Sequence, residues 1–449
     1  MISSWLLHYL PGFLRRRIAG RSYLLKVIDN TGWIFSERIL RHAVGFAVGV
    51  WIARYVGPHG YGLLNYANAF VLVFAFITTL GIDGIAVRDI IRNPSGRDET
   101  VGTLLLLRVV GGLVLMLVVT GAIALVQPSD PRATALIIII AVGQLLLATD
   151  SIDCWFQANV ASRYTVVARL GAFFAITLVR IVLILARAPL IAFAWANLAE
   201  SAVLTVAMLV AYRRSGQRLA KLRATVARAK ALLSDGWPLL LSAGVLAVSQ
   251  RLDQVMLGQM AGYAEVGAYA VAVRVIEATY ILPTVVAMSI FPAMIKLRAQ
   301  DPARYEVQIQ RLYDFLLWLA ITIAVPLTLL SSFLVRLLVG NAYAAAAAPL
   351  AILSWMPVFM FFGVVRQRWL LAEGALPAAL AVEIAGCGLN VLANLMLIPR
   401  YGAVGAATAA LVGIVGATLV VAPFSNSIRR SLMMLMRGMI APVRALRRT

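Results

Sequence analysis

Twelve stretches of this chain are long and almost wholly apolar. Each has the length that a bilayer demands of one crossing helix. They run over about 33–53, 61–81, 101–126, 134–152, 165–186, 189–212, 236–260, 263–290, 312–337, 347–370, 376–398 and 402–424. A helix rises 1.5 Å per residue, so about 20 residues cross a hydrocarbon core of ~30 Å. Gly, Pro and Asp mark several of the short connections, as at Gly57-Pro58, Pro128-Ser129-Asp130-Pro131 and Ala188-Pro189. Ten-residue segments of alternating polarity are absent, which excludes an outer-membrane barrel. Only 13% of the 449 residues are charged and 62% are apolar. That excludes a soluble enzyme, a disordered chain and a solenoid. The expected fold is an all-α polytopic membrane protein of about 12 transmembrane helices.

The net charge of +21 comes from 40 Lys and Arg against 19 Asp and Glu. In a soluble chain it would suggest nucleic acid; here it orients the helices, and no nucleic-acid partner is expected. Alternate connections collect the basic residues: Arg15 to Arg17, Arg88, Arg92 and Arg97, Arg213 to Lys230, and Arg429 to Arg448. The opposite face holds only Arg54, Arg132, Arg187, Arg336 and Arg400. An even number of spans with both termini cytoplasmic satisfies this bias. Residues 1–21 read as an amphipathic segment lying on the membrane rather than a signal peptide, because Trp5 to Leu10 precede the basic run. The basic stretch Arg213 to Lys230 is a solvated linker near anionic headgroups. It divides the chain into an N-terminal lobe, 1–225, and a C-terminal lobe, 226–449, of six helices each.

The halves share punctuation. Tyr61-Gly62-Leu63-Leu64-Asn65-Tyr66-Ala67 opens the second span as Val266-Gly267-Ala268-Tyr269-Ala270 opens the eighth. Trp155-Phe156-Gln157-Ala158-Asn159 follows the fourth span as Trp369-Leu370-Leu371-Ala372-Glu373-Gly374 follows the tenth. Six helices per half make the repeat parallel, with its axis along the membrane normal. Chance likeness of Gly/Ala-rich turns is the competing explanation for either match taken singly.

Ionisable residues inside spans are expensive and face a cavity or a partner. Arg251, Asp253, Arg274, Glu277, Arg180, Arg108, Asp150, Glu200 and Glu383 lie within spans, as do Glu37 and Arg41. Glu37/Arg41 and Arg274/Glu277 have the spacing of same-face pairs, which can be purely structural. Arg169 and Arg368 sit near span ends, where snorkelling suffices. Arg366, with Arg368, lies near the cytoplasmic end of the tenth span. Arg251, Arg274 and Arg180 are the hardest to explain as structure. Surplus Arg suits an anionic ligand, because a guanidinium stays charged and grips phosphate bidentately. Gly45/Gly49 and Gly258/Gly262 are ordinary small-residue packing pairs, and Asn390/Asn394 reads as interhelical glue or as a sugar contact. Pro283, Pro326 and Pro357 are expected to kink their spans. Two cysteines, Cys154 and Cys387, and three scattered histidines offer neither a disulfide framework nor a metal site. No Walker loop, nucleophile elbow or HExxH occurs, so no ATPase in the chain powers transport and no enzyme activity is expected.

Four stretches carry a resemblance to a known family. The first is Ala53-Arg54-Tyr55-Val56-Gly57-Pro58-His59-Gly60-Tyr61-Gly62, with Leu80-Gly81-Ile82-Asp83-Gly84 and Val87-Arg88-Asp89. The second is Asp253-Gln254-Val255-Met256-Leu257-Gly258, with Val266-Gly267-Ala268-Tyr269 and Arg274. The third is Val365-Arg366-Gln367-Arg368-Trp369-Leu370 with Glu373-Gly374. The fourth runs from Asn394 through Pro399-Arg400-Tyr401-Gly402 to Ala407. The chain resembles the Wzx-type lipid-linked oligosaccharide flippases of the multidrug/oligosaccharidyl-lipid/polysaccharide exporter superfamily. The resemblance implies a MATE-like fold of two six-helix lobes around a central cavity in a bacterial inner membrane. It implies an undecaprenyl-diphosphate-linked oligosaccharide moved to the periplasmic leaflet, as in O-antigen and other surface polysaccharide synthesis. It also implies membrane lipids, a polymerase and chain-length proteins as partners. By position, Asp253 and Arg274 match the family's functional residues. The intramembrane charges add Arg251, Arg180, Arg41 and Arg108 as candidate substrate-binding cations, and Glu277 and Glu200 as candidate coupling groups for a proton or sodium ion. No other cofactor is expected.

Two other readings stay open. A multidrug or cation antiporter of the same fold should have an acidic or aromatic cavity, against which the Arg surplus argues. A membrane polymerase or ligase of glycan assembly should carry large outward loops, and here those loops are short.

Overall fold

The computed structural model describes residues 22–126, 130–280, 301–372 and 376–439, and within 281–300 only residues 282, 283, 286, 294, 297 and 300. The expected amphipathic segment 1–21 and the basic tail beyond 439 lie outside the described residues. So do Glu373, Gly374 and most of the later part of the eighth expected span. Among the described residues the chain is helical and has no strand.

Helices α1 (Ser22–Val73), α2 (Phe76–Thr79), α3 (Asp83–Arg92), α4 (Arg97–Val126), α5 (Pro131–Leu146), α6 (Ser151–Ala158), α7 (Arg163–Leu185) and α8 (Leu190–Arg214) make up the first half. The second half holds α9 (Val226–Met260), α10 (Tyr263–Glu277), α11 (Pro302–Leu329), α12 (Ser331–Val339), α13 (Ala347–Leu353), α14 (Met356–Ala372), α15 (Leu376–Val421) and α16 (Asn426–Met439). Asp-Pro starts two of these helices. Asp130 accepts from the Arg132 and Ala133 amides at 3.0 Å, and Asp301 from the Arg304 amide at 3.0 Å. In each, the proline occupies a position whose missing N–H would have been unpaired anyway.

Eight helical stretches among the described residues are long and apolar enough to cross a bilayer. A ninth is the pair Asn341–Leu353 and Met356–Gln367, bent by 45° just ahead of Pro357. Two of the eight are hairpins. If straight, the 46 residues of α15 would reach about 70 Å, twice what a membrane needs. Instead Gly402 adopts φ 53° and ψ −128°, a conformation closed to residues with a Cβ. Gly386 then faces Ala417, Gly413 faces Asn390 and Gly405 faces the Leu397 carbonyl, pairs that converge on Gly402. α1 turns likewise at Gly57 (φ 72°, ψ 174°). Gly49 and Tyr61, on either side of that turn, both touch the Arg274 guanidinium. Counting each hairpin as two spans and the bent pair as one gives eleven among the described residues, and the eighth expected span, 263–290, lies partly outside them, so twelve remains compatible.

Lipid-facing surface explains the exposed apolar residues. Leu117, Leu125, Leu178 and Leu185 are 75%, 86%, 64% and 70% exposed, which only a hydrocarbon surround accommodates in such numbers.

The described chain forms two compact units. One holds the residues up to Val48 and Phe70–Ala247; the other holds Gly49–Ala69 and the residues from Val248 onward. The outer part of the α1 hairpin belongs with the later helices, and the start of α9 belongs with the earlier ones. In the first unit the core is built on Ile82, Leu104, Ile152, Trp155, Phe156 and Met208. In the second it is built on Tyr313, Leu316, Phe361, Trp369, Ile428 and Leu435. Trp155 and Trp369, matched by the repeat, are thus core residues of one unit each. Gly62 and Gly267, also matched by it, pack against each other. A Cβ on Gly62 would lie 1.7 Å from the Tyr263 carbonyl oxygen and 2.8 Å from the Gly267 nitrogen.

Candidate functional site

Three polar groupings stand inside the apolar helices. The first is in the unit that holds the earlier helices. Glu200 of α8 accepts from two guanidiniums: Arg41 Nη2 at 3.1 Å and Arg180 Nη2 at 2.7 Å. Arg180 also donates to Asn197 Oδ1 at 2.7 Å. Arg41 lies 3.7 Å from Glu37, one turn earlier on α1, and 5.5 Å from the centre of the Phe173 ring. The Glu37/Arg41 pair expected from spacing is therefore present. It is extended by a carboxylate from a distant helix that spacing could not reveal.

The second grouping is in the other unit. Asp253 of α9 is 6% exposed. Its Oδ2 accepts from the Tyr269 hydroxyl at 2.9 Å, and its Oδ1 from Asn394 Nδ2 at 2.7 Å. Asn394 Nδ2 also donates to Asn390 Oδ1 at 3.1 Å. The asparagines thus tie α15 to α9, the interhelical role expected of them. The Asn394 Oδ1 atom is buried with no hydrogen-bond partner among the described residues. Among the described residues no group of three or more His, Cys, Asp or Glu side chains has the arrangement of a metal site.

The third grouping centres on Arg274 of α10. Its Nη1 donates to the Tyr61 hydroxyl at 3.1 Å. Its guanidinium is seated on Gly49 so closely that a Cβ there would lie 2.1 Å from Cζ and Nη2. The expected small-residue packing at Gly49 is thus packing against a cation. Gly258, from the other such pair, abuts the Tyr66 ring. Tyr66 in turn accepts from Gln259. On the same unit Arg251 lies 3.8 Å from Glu277. Glu277 thus has a partner on the preceding helix, which its spacing from Arg274 did not reveal.

Arg108 is almost fully buried and pairs with Asp83. Arg169 pairs with Asp153 at 3.2 Å and Asp150 at 3.5 Å, so it is held in place and does not snorkel. Arg366 donates to Thr418 at 2.6 Å and stacks on Phe362. Pairing thus absorbs much of the positive charge counted from the sequence. Arg41 and Arg180 share Glu200, Arg108 has Asp83 and Arg251 has Glu277. The structure unites Arg41, Arg180 and Glu200 in one network, and sets Asp253, Arg274, Arg251 and Glu277 on the adjoining helices α9 and α10. Sequence reasoning missed Asn197, Tyr61 and Tyr269, which are neutral and carry no cost signal of their own inside a span.

The sequence profile described as "Polysaccharide biosynthesis protein" matches residues 27–298. No curated protein sequence matches the chain significantly. Solved structures do. An inward-facing multidrug resistance MATE family transporter of the MOP superfamily aligns with TM-score 0.70 at 15% identity, covering 90% of this chain and 95% of its own. The lipid II flippase MurJ, in an inward closed conformation, aligns with TM-score 0.66 at 14% identity, covering 91% of each chain. A MOP superfamily transporter from Pyrococcus furiosus, described as having a binding pocket of reversed polarity, aligns with TM-score 0.56 at 14% identity, covering 93% and 96%. These likenesses establish a MATE-like fold.

Proposed function

The chain belongs to the polysaccharide biosynthesis protein family, and from that premise we propose that it is a flippase for undecaprenyl-diphosphate-linked oligosaccharide. It is a multi-pass membrane protein with the fold of membrane transporters. In this reading it sits in a bacterial inner membrane with both termini in the cytoplasm. It moves the sugar unit from the cytoplasmic to the periplasmic leaflet by alternating access. No covalent bond is made or broken. Each buried, unpaired sugar hydroxyl would otherwise cost several kcal/mol in hydrocarbon, and a polar path removes that barrier.

The observation that carries this reading is the seating of the Arg274 guanidinium in an apolar span, held by Tyr61 and by the missing side chain of Gly49. A fixed, permanently charged fork suits a diphosphate, whose oxygens accept bidentately. Arg251, Arg180, Arg41 and Arg108 are the further candidate cations, each held by a carboxylate that an incoming phosphate would have to displace. Asp253 is the candidate coupling group. A proton or a sodium ion on it would compete with the hydrogen bonds it accepts from Tyr269 and Asn394. Glu277 and Glu200 are the other acidic candidates. A polymerase and chain-length proteins are the partners this activity implies.

The test is export of surface polysaccharide in a host lacking its own flippase. Arg274→Ala should abolish export at wild-type protein levels. Arg274→Lys should restore it only in part, because an ammonium lacks the bidentate fork. Normal export by Arg274→Ala at matched levels would overturn the assignment. Extrusion of cationic drugs by the wild type, without any polysaccharide phenotype, would make the chain an antiporter instead.

A further inference from the structure

The helix α16 follows the last span and was expected only as part of a basic tail. It is amphipathic. Ile428, Ser431, Met434, Leu435 and Gly438 are buried. Gln310 of α11 donates to the Met434 carbonyl at 2.9 Å, and Trp318 Nε1 donates to the Gly438 carbonyl at 3.3 Å. The helix is thus pinned along its length against the second unit's core. Its other face presents Met433, Met436 and Met439, which are 44%, 56% and 49% exposed. An apolar stripe of this kind at the end of a span lies in the plane of the membrane interface.

Between this helix and the start of α11 is a cavity of about 440 Å³. Arg429, Arg430, Arg437, Asn426, Glu306 and Met433 line it. Arg430 pairs with Glu306 at 2.7 Å. Arg429 donates to the Asn426 amide oxygen at 2.8 Å, a neutral partner. Three guanidiniums against one carboxylate leave the lining strongly positive.

We propose that this cavity binds the phosphate of an anionic glycerophospholipid, with the acyl chains lying along the exposed methionines of α16. Two features choose the occupant. Guanidiniums match phosphate oxygens in charge and geometry. The methionine stripe continues the cavity into an apolar surface that a soluble phosphate could not use. Such a site would anchor the end of the second unit to the leaflet, away from the groups assigned to transport.

The experiment uses the full-length protein in nanodiscs and detergent, with phosphatidylglycerol against phosphatidylcholine as the probes and bound lipid counted by native mass spectrometry. Phosphatidylglycerol should be retained selectively. The double variant Arg429→Gln/Arg437→Gln should weaken its binding about 25-fold, roughly fivefold per cation near the surface. Glu306→Gln should tighten it, a gain that misfolding cannot mimic. Arg132→Gln, a charge-matched change at the start of α5, should leave it unchanged. Equal retention of both lipids, or no response to either the double variant or Glu306→Gln, would overturn the proposal. So would full displacement by inorganic phosphate, or preference for a prenyl diphosphate over phosphatidylglycerol.

Discussion

A methyl group added at Gly49 tests the Arg274 assignment without substituting Arg274. The ideal Cβ would lie 2.1 Å from the guanidinium carbon and one of its nitrogens, and 2.5 Å from Nε. Ordinary contact begins at ~3.5 Å, so the guanidinium must retreat by about 1.4 Å. The clash involves the far end of a flexible side chain, so the helices need not move. Alanine also improves the helix intrinsically by about 1 kcal/mol. Gly49→Ala should therefore fold at normal levels with a melting temperature close to wild type. What it loses is the position of the cation. The 3.1 Å bond to Tyr61 cannot survive such a shift. A hydrogen bond to a charged group contributes about 1.5–3 kcal/mol, so a function that depends on this placement should fall by roughly one to two orders of magnitude. Gly45→Ala, one turn away on the same helix, is the control. Its Cβ would sit 3.9 Å from the Phe173 ring, in ordinary contact. The assay is polysaccharide export in a flippase-deficient host, normalised to membrane protein. Equal export by the two variants would refute the reasoning, because it would mean that the exact seat of Arg274 is irrelevant.

Asp253→Asn keeps the shape of the Tyr269 and Asn394 contacts but removes the negative charge. It should abolish the response of transport to an imposed sodium or proton gradient in proteoliposomes while the protein remains folded; an unchanged gradient response would remove Asp253 from coupling. Glu200→Gln leaves Arg41 and Arg180 facing each other without their shared carboxylate, and should lower the melting temperature by several degrees, the consequence of breaking a largely buried pair. Adding Arg180→Gln to Glu200→Gln should recover part of that loss in the same thermal melt, and a further drop would contradict the network. Gly402→Ala forces a Cβ into a conformation that costs about 1–3 kcal/mol and to within 2.5 Å of Glu265 Oε2; reduced protein yield and a lower melting temperature should report it.

The length and spacing of apolar runs made the helical membrane fold readable, because a bilayer imposes one strong rule on every span. The hairpins in α1 and α15 were also legible, since Gly57-Pro58 and Pro399-Arg400-Tyr401-Gly402 break the apolar pattern. Partnerships between helices were not. Spacing within a helix exposes only neighbours three or four residues away, so Glu37/Arg41 could be read, but Glu200 between Arg41 and Arg180 could not. For the same reason Glu277 gave no sign of Arg251. Segment membership was hidden too. Nothing in the local sequence of Gly49–Ala69 says that it packs with residues beyond Val248. The amphipathic face of α16 was present in the sequence but masked by its arginines, which read first as a tail.

The contact between Gly62 and Gly267 has a geometric meaning of its own. Their contact leaves no room for a Cβ on either residue. It also makes their fates inseparable, because a side chain gained by one consumes the space left by both. The two sites would have to change together, and a descendant of this chain can diverge almost anywhere else more freely than at this pair.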